Sequence, residues 1–309
     1  MRMLFTLILF VTGLYCSGQQ KQVCLSFDDL PVVSYGSQDT CFQKGLMNNL
    51  IVSLKRNNIP AIGFVNEQKL YDQNGLDRNQ VELLKSWVSN GLELGNHTFS
   101  HPDYNSTSFK DYTSDILKGE IITNKILTGI GKKLRYFRHP FLHVGNTKAK
   151  ADSLSSFLLN LGYREAPVTI DNEDYLFALA YHRANSKKDT SLMKKIGRDY
   201  ISYMEKKLIY YEKQAKNLFG RNINQILLLH ASFLNSDYTD SLAALFRKNN
   251  YTFISMDKAL EDPVYQTQIT VFGIWGISWL DKWALSKGKK GDFFRDEPET
   301  PEYIKKIAE

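Results

Sequence analysis

Residues 22–31, QVCLSFDDLP, open the part of the chain that decides the fold. The apolar, β-prone run Gln22–Phe27 predicts a buried strand that ends in two consecutive aspartates. Apolar residues at helical spacing follow over Cys41–Asn57, and Ala61–Val65 is a second apolar run of strand length. A strand, a helix and a strand in this order predict a βα unit of a parallel sheet.

The same alternation continues along the chain. It predicts helices at Asn79–Ser89, Ser153–Leu161 and Asp240–Asn249, and strands at Leu92–Gly95, Leu134–Phe137, Ala166–Ile170, Gln225–His230 and Tyr251–Ser255. Residues 176–222 predict a helical insertion that packs on the barrel as an extra layer, or whose tyrosines line a substrate site. With no interdomain linker, these elements predict one domain built as a barrel of parallel strands with extra helices.

Composition and charge exclude some classes of protein. The chain has 309 residues, of which 43% are hydrophobic and 23% charged, as in ordinary globular proteins. The net charge of +6 is modest, and no Lys/Arg run is interleaved with aromatic residues. Nucleic acid is therefore not an expected partner, whereas loose attraction to anionic surfaces such as cell walls is compatible with this charge. The sequence leaves the oligomeric state open.

The N-terminal residues 1–18 predict a signal peptide that is cleaved after Gly18. Arg2 precedes the apolar run Met3–Leu14, which is too short to span a bilayer as a permanent transmembrane segment. The expected protein is exported, either periplasmic or secreted. Lipid modification of Cys16 is the alternative, although Tyr15 occupies a position where lipoprotein signals usually have a small residue.

Two cysteines, Cys24 and Cys41, remain after such cleavage. An oxidising compartment permits a disulfide between them, and two separate free thiols are the alternative. Neither lies in a pattern of metal-binding cysteines.

His97 and His101 lie four residues apart in NHTFSHP. One helical turn would place both imidazoles on the same side, close enough to share a divalent ion. Thr98 occupies the position of the glutamate in the metalloprotease pattern H-E-x-x-H, so a catalytic base must come from elsewhere. The pair Asp28–Asp29 offers one carboxylate as a ligand and one as a base. A chance histidine pair and a solvated acidic turn are the alternatives.

Other chemically reactive residues also follow predicted strands. They are Arg138, Asp171, Asp174 and His230. Because active sites of parallel barrels lie at the carboxyl ends of the strands, these side chains are expected to meet the aspartates and histidines at one face.

These residues lie in motifs that resemble those of polysaccharide deacetylases, the NodB-homology group called carbohydrate esterase family 4. The matching segments are SFDDLP at 26–31 for T/S-F-D-D-x-P, HTFSH at 97–101 for H-[S/T]-x-x-H, RHPF at 138–141 for R-x-P-[F/Y], DNEDY at 171–175 for D-x-x-D-W and LLH at 228–230 for L-x-H. They appear in the family's order. The resemblance implies a distorted, incomplete (β/α)7-type barrel over residues 19–260, with residues 261–309 as an extension packed on it.

The resemblance also implies a role for each site residue. Asp29, His97 and His101 would hold a divalent metal, usually zinc in this family. Asp28 would be the general base, with its carboxylate held by Arg138, and His230 would protonate the leaving group while Asp174 tunes it. Asp171 belongs to the same catalytic motif.

The sequence departs from the family's pattern at several positions. Tyr175 stands where the family often has tryptophan, and Leu142 stands where glycine is common, with Gly145 arriving only later. His139, His143 and His182 match no ligand position and are expected at the surface or in packing, although His139 could line the site beside Arg138.

Trp275, Trp279 and Trp283 are four residues apart, which predicts one broad face of a C-terminal helix. That face would be buried as core, or one indole would lie at the rim of the substrate groove and stack on a sugar.

The expected activity is metal-dependent hydrolysis of N-acetyl or O-acetyl groups on a polysaccharide or oligosaccharide. A hydrolase of another non-peptide C–N bond is the alternative enzyme, and a sugar-binding module without catalysis is the alternative from another class.

Overall fold

The computed structural model describes residues 20–309, and the predicted signal peptide with Cys16 lies outside them. Parallel strands dominate this part of the chain. The strands are β1 (Lys21–Val33), β2 (Ile62–Val65), β3 (Tyr71–Asp72), β4 (Gly75–Leu76), β5 (Glu93–Asn96), β6 (Tyr136–Phe137), β7 (Arg164–Glu165), β8 (Asn224–Ser232) and β9 (Tyr251–Phe253). All except the short antiparallel hairpin β3–β4 belong to one parallel sheet of seven strands.

The sheet curls into an incomplete barrel. Its order is β7-β6-β5-β2-β1-β8, with β9 paired to Lys21–Val23 of β1. Beyond β7 the chain crosses to the other edge, where Ile170 forms a single parallel bridge with Leu227 of β8. The predicted distorted, incomplete (β/α) barrel is therefore confirmed. The predicted strand Ala166–Ile170 is wrong, since the regular strand is Arg164–Glu165 and only Ile170 of the predicted range forms a bridge; Pro167 cannot donate to a strand ladder.

Helices surround the sheet. They are α1 (Thr40–Arg56), α2 (Arg78–Ser89), α3 (Phe109–Lys118), α4 (Ile121–Thr128), α5 (Lys148–Asn160), α6 (Asp174–Ser186), α7 (Thr190–Phe219), α8 (Phe233–Lys248), α9 (Met256–Ala259), α10 (Trp279–Ser286) and α11 (Glu302–Ala308). Side-chain oxygens cap several of them, and Asp39, Ser108 and Ser232 each accept a hydrogen bond from a backbone N–H in the first turn. The predicted helical insertion is the pair α6–α7. None of the helices in residues 20–309 has the length and apolar character needed to cross a membrane.

The strands at the centre are buried on both faces, as expected for a parallel sheet covered by helices. Residues 225–229 of β8 are all buried, and Phe27 of β1 packs edge-on against Trp87 of α2. Cys24 is buried in β1 while Cys41 is exposed, and both thiols are free, which matches the free-thiol alternative.

The C-terminal extension packs on this barrel. Trp279 and Trp283 lie in α10 and are buried, as the core alternative predicts. Trp275 precedes α10 and is 47% exposed, so the prediction of one helical face shared by all three indoles is wrong. The last helix, α11, packs against α6.

Candidate active site

Two adjacent carboxylates reach the same cavity at the end of β1. Successive residues of a regular strand point to opposite faces, so Asp28 and Asp29 could not otherwise act together. Asp29 has φ 62°, and the pairing register of β1 shifts here against both of its neighbours, β2 and β8. This irregularity breaks the alternation, and both side chains line one cavity of about 990 Å³.

His97 and His101 also line this cavity, but they do not lie on a helix. The segment is a loop after β5, in which Thr98 has φ 67° and His101 has φ 57°. The predicted helical turn is therefore wrong, although the two rings do meet, with centroids 4.8 Å apart. Left-handed conformations at residues other than glycine are costly and tend to occur at functional sites.

The C-terminal end of α3 holds this histidine loop. Asp115 Oδ1 accepts hydrogen bonds from the backbone N–H groups of Phe99 and Ser100, both at 2.9 Å. Asp115 Oδ2 accepts a third from the Ser100 hydroxyl at 2.7 Å. Gly119, directly after α3, lies so close that a Cβ there would overlap the backbone of Thr98 and Phe99. The loop is thus fixed by side-chain and backbone contacts that its own sequence does not reveal.

Asp29, His97 and His101 have the donor set and geometry for one metal ion. Their potential ligand atoms all lie within 4.8 Å of one another. His97 Nδ1 contacts the Arg138 carbonyl oxygen at 2.8 Å, which orients Nε2 toward the aspartates. Asp29 Oδ1 is buried without a hydrogen-bond partner among the described residues, as expected for an atom placed to meet a cation. Two imidazoles and one carboxylate therefore fit a divalent ion and leave coordination positions open.

The three candidate ligand residues have pKa values shifted toward the protonation states that a metal requires. Burial lowers the pKa of His97 and that of His101 to about 4, so both rings are neutral at pH 7. Burial alone would raise the pKa of Asp29, but Lys69 and the nearby histidines outweigh it and hold this pKa below its usual range. Lys69 also donates to the Asp29 carbonyl oxygen at 2.7 Å.

Asp28 has different surroundings from Asp29. Arg138 is fully buried, and its Nη1 lies 3.3 Å from both carboxylate oxygens of Asp28. Arg138 is itself fixed by the Ala166 carbonyl oxygen at 2.7 Å and by the Ser26 hydroxyl at 3.0 Å. Burial raises the pKa of Asp28 above its usual value, despite the opposing attraction of Arg138. A buried carboxylate with a raised pKa is a stronger base than Asp29.

His230 lies opposite Asp28 on the neighbouring strand, in register with it. Its Nδ1 is 2.7 Å from Asp174 Oδ1, and its backbone N–H donates to Asp174 Oδ2 at 2.8 Å. Asn235 donates to the same Oδ2 at 2.7 Å, which fixes the buried carboxylate from a third direction. Burial lowers the pKa of His230, but attraction and hydrogen bonding from Asp174 outweigh it and raise the value to about 9. This imidazole is therefore protonated at neutral pH and has a proton available to donate.

The remaining predicted site residue, Asp171, lines the cavity without a direct link to the His230–Asp174 pair. Its Oδ1 accepts a hydrogen bond from the backbone N–H of Asn172. Burial raises the pKa of Asp171 to about 7, against attraction by Lys207 and Lys282. Tyr175, in the position where tryptophan is usual, is exposed at the cavity wall.

Much of the cavity wall comes from residues that no motif indicated. Residues 293–299, here called the C-terminal strap, contribute Phe294, Asp296, Glu297, Pro298 and Glu299. Lys207 of α7 is buried and forms an ion pair of 2.6 Å with Glu297, to which Tyr211 also donates at 3.1 Å.

Three further residues at the site were missed from the sequence. Lys69 and Asn235 stand alone in their segments, so no spacing pattern marks them. His143 was expected at the surface or in packing but lines the cavity, and the extra residues between Phe141 and Gly145 were the available signal. His139 is buried against Glu165 at 3.0 Å and does not line this cavity.

Comparison with known proteins agrees with this geometry. The profile of the polysaccharide deacetylase family matches residues 17–157. This region of the chain is thus similar to polysaccharide deacetylases. A peptidoglycan-N-acetylglucosamine deacetylase of Bacillus cereus is 23% identical over 143 residues, which cover 45% of this chain and 43% of the relative. The match thus spans less than half of that curated relative.

Solved structures with the same fold cover more of this chain. A mutant of a carbohydrate esterase family 4 pseudoenzyme, from Bacillus anthracis, matches 78% of this chain and 68% of its own, with a TM-score of 0.51 and 14% identity. A peptidoglycan N-acetylglucosamine deacetylase in complex with a substituted benzamide matches 78% of this chain and 88% of its own, with a TM-score of 0.50 and 16% identity. At these identities the likeness establishes the fold, which both a pseudoenzyme and a deacetylase share.

Proposed function

We propose that this protein is an enzyme that hydrolyses N-acetyl or O-acetyl groups on a polysaccharide or oligosaccharide and depends on a divalent metal, with Zn²⁺ as the ion. A carbohydrate is the expected partner. The name of the Bacillus cereus relative makes peptidoglycan fragments the first substrates to test.

One observation carries this proposal. A single cavity brings together three residues that could hold a metal ion, a buried carboxylate held by an arginine and a histidine held by a carboxylate. A protein that only bound sugars would not need a base and an acid with pKa values shifted to suit proton transfer.

The residues divide the chemistry of acyl transfer. A cation bound by Asp29, His97 and His101 would supply Lewis-acid polarisation of the acetyl carbonyl group. Asp28 would accept a proton from the attacking water, and Arg138 would keep its carboxylate aimed at that water. His230 would donate a proton to the departing sugar nitrogen or oxygen, and Asp174 fixes the ring for this transfer because the carboxylate accepts from Nδ1 and leaves Nε2 to donate. For Asp171 we propose a supporting role, since its charge favours the cationic form of Arg138.

The direct test is release of acetate from chitin oligomers, peptidoglycan fragments and acetylated xylan. The chelator-treated protein should be inactive on each, and Zn²⁺ should restore release from at least one. Release of ammonia or ring opening of a small cyclic amide, without acetate, would favour the alternative C–N hydrolase. Saccharide binding with no hydrolysis under any metal would favour a binding module.

The base can be tested separately from the ligands. Asp28→Asn should retain stoichiometric zinc and lower kcat by roughly 10²–10⁴-fold, since the amide cannot accept the proton. Loss of zinc together with activity would mean that Asp28 shares the ligand role given to Asp29.

We also propose that the protein is exported by cleavage of residues 1–18, to the periplasm or beyond, and that residues 19–260 form the catalytic domain with the 176–222 insertion while 261–309 complete its wall. Intact-mass measurement of the mature protein tests the cleavage, because a lipid on Cys16 would add the mass of its acyl chains.

A further inference from the structure

His143 has the geometry of a substrate contact. It lines the same cavity as the catalytic residues, and 14% of its side chain is accessible. Its Nδ1 is 2.7 Å from Asp103 Oδ1. An ionised carboxylate can only accept hydrogen bonds, so the proton of a neutral His143 ring is on Nδ1 and its Nε2 is an acceptor.

Nε2 of His143 lies at the wall of the cavity. Gly276, another residue of the cavity wall, lies beside this atom, and a Cβ at Gly276 would be 3.3 Å from Nε2. Such a Cβ would also overlap the Phe141 carbonyl oxygen. The backbone of the C-terminal extension at Gly276 therefore lies directly against the loop that carries His143, and no side chain separates them.

An exposed aromatic ring lies next to this acceptor. Phe141 is 52% exposed, with φ 54°, and its ring centroid is 5.8 Å from that of His143 and 4.5 Å from that of His101. The exposed ring of Phe141 thus has a proposed metal ligand, His101, on one side and the polar ring of His143 on the other. A pyranose has an apolar C–H face and hydroxyl groups on its perimeter, so it complements both surfaces.

We propose that His143, held by Asp103, is a specificity-determining residue that accepts a hydrogen bond from a hydroxyl group of the sugar bound against Phe141. Asp103 is the positioning residue. The proposal rests on the proposed function, and it names the contact through which the cavity recognises a carbohydrate rather than any acetyl compound.

Three substitutions separate a substrate contact from a packing role. In His143→Asn the amide nitrogen occupies the place of Nδ1 and can still bond Asp103, but no polar atom remains at the place of Nε2. In His143→Gln the amide reaches the place of Nε2, and the bond to Asp103 is lost. His143→Phe keeps the ring shape and removes both atoms.

The probes are tetra-N-acetylchitotetraose, the N-acetylglucosaminyl–N-acetylmuramic acid disaccharide and acetylated xylotetraose, titrated calorimetrically against zinc-loaded protein in an Asp28→Asn background. For each probe that binds, His143→Asn and His143→Phe should raise Kd by about 10-fold, the usual effect of one lost hydrogen bond of about 1.4 kcal/mol. His143→Gln should stay within about threefold of the parent protein, since the acceptor remains.

A packing role gives the opposite order, in which His143→Asn binds like the parent and His143→Gln does not. That result overturns the proposal, as does equal binding by all variants or no binding of any probe by the parent. Binding that follows the expected order without acetate release from wild-type protein would reject the proposed hydrolysis and leave the sugar contact intact.

Discussion

At the scale of single residues, one carboxylate sets the charge of the proposed acid. Asp174 touches His230 through both its ring and its backbone N–H, and it is itself fully buried. Without Asp174, burial would favour the neutral imidazole. The proton on His230 therefore depends on a neighbour that lies 56 positions away in the sequence.

Asp174→Asn should lower the pKa of His230 from about 9, because it removes the main attraction that opposes burial and leaves only the charges of Asp28 and Asp29. NMR titration of the metal-free protein measures this directly. A general acid must be protonated to act, so the alkaline limb of kcat/KM should also move to lower pH in the variant. Asp171→Asn is the matched control, and an equal shift there would contradict a specific role for Asp174.

His97→Ala should lower zinc affinity at least about 10-fold, because it removes one of three protein ligands from the proposed site. Zinc titration of chelator-treated protein measures the affinity, and His182→Ala provides a histidine control outside the ligand set. Full zinc occupancy in His97→Ala at equal free zinc would reject the ligand assignment.

The residues that lie in motifs could be predicted from the sequence, and the supporting residues outside the motifs could not. Asp28, His97 and His230 follow predicted strands, and parallel strands place their carboxyl ends at one face. Lys69 and Asn235 have no such spacing, since each reaches the site from another element through tertiary contacts. The position of His143 depends on the conformation of the loop between Phe141 and Gly145, which residue patterns do not specify.

At the scale of elements, α3 acts as the support of the histidine loop. Asp115 and Gly119 lie at its C-terminal end, one accepting hydrogen bonds from the loop and the other allowing its backbone to come close. Apolar periodicity predicted α1, α2, β2, β5 and β8 close to their observed bounds, but α3 and α4 were not predicted and α8 begins seven residues before the predicted Asp240. The loop between β5 and α3 was misread as helical, because its conformation is imposed by α3.

Gly119→Ala should push α3 and the histidine loop apart and weaken zinc binding, because a methyl group there overlaps the backbone of Thr98 and Phe99. Overpacking of this kind costs roughly 1–3 kcal/mol of unfolding free energy. Gly45→Ala is the control, since Gly45 is exposed in α1 with nothing within 4 Å of a Cβ. That variant should gain up to about 1 kcal/mol of helix stability and keep its zinc affinity.

Equal zinc affinity in both glycine variants would show that the loop does not depend on α3. Chemical denaturation supplies the unfolding free energies, and zinc titration supplies the affinities. A loss of zinc affinity in Gly119→Ala alone would show that the contact between Gly119 and the histidine loop causes it, and not a change in helix propensity.

At the scale of the whole molecule, the two ends of the chain build one cavity. The strap and Lys207 lie outside residues 17–157, the region matched by the family profile, yet they form one wall of the site. The buried ammonium of Lys207 holds Glu297, and Gln214 donates to the Phe293 carbonyl oxygen at 2.5 Å. The barrel could be predicted from the order of the strands and helices. The cavity wall formed by the strap could not, because nothing in the sequence of the strap indicates that it contacts Lys207 and Gln214.

Lys207→Met keeps the apolar stem and removes the charge that holds Glu297, so the strap should loosen. Hydrogen exchange of residues 293–299 should become faster while β8 stays protected. KM for oligosaccharides should rise with it. Lys248→Met breaks an exposed ion pair with Glu205 and is the control, expected to change neither quantity. Unchanged exchange in Lys207→Met would show that other contacts hold the strap.

The direction of β1 has a consequence for how the protein can be mounted on a surface. Lys21 begins this strand and Asp28 lies seven residues later, so at about 3.3 Å per residue the cavity is roughly 20 Å from the start of the strand. Anything coupled ahead of Gln20 therefore leaves from the side of the barrel opposite the cavity. A bead, a fusion partner or a bilayer attached there would leave the opening turned outward, where a glycan too large to diffuse could reach it.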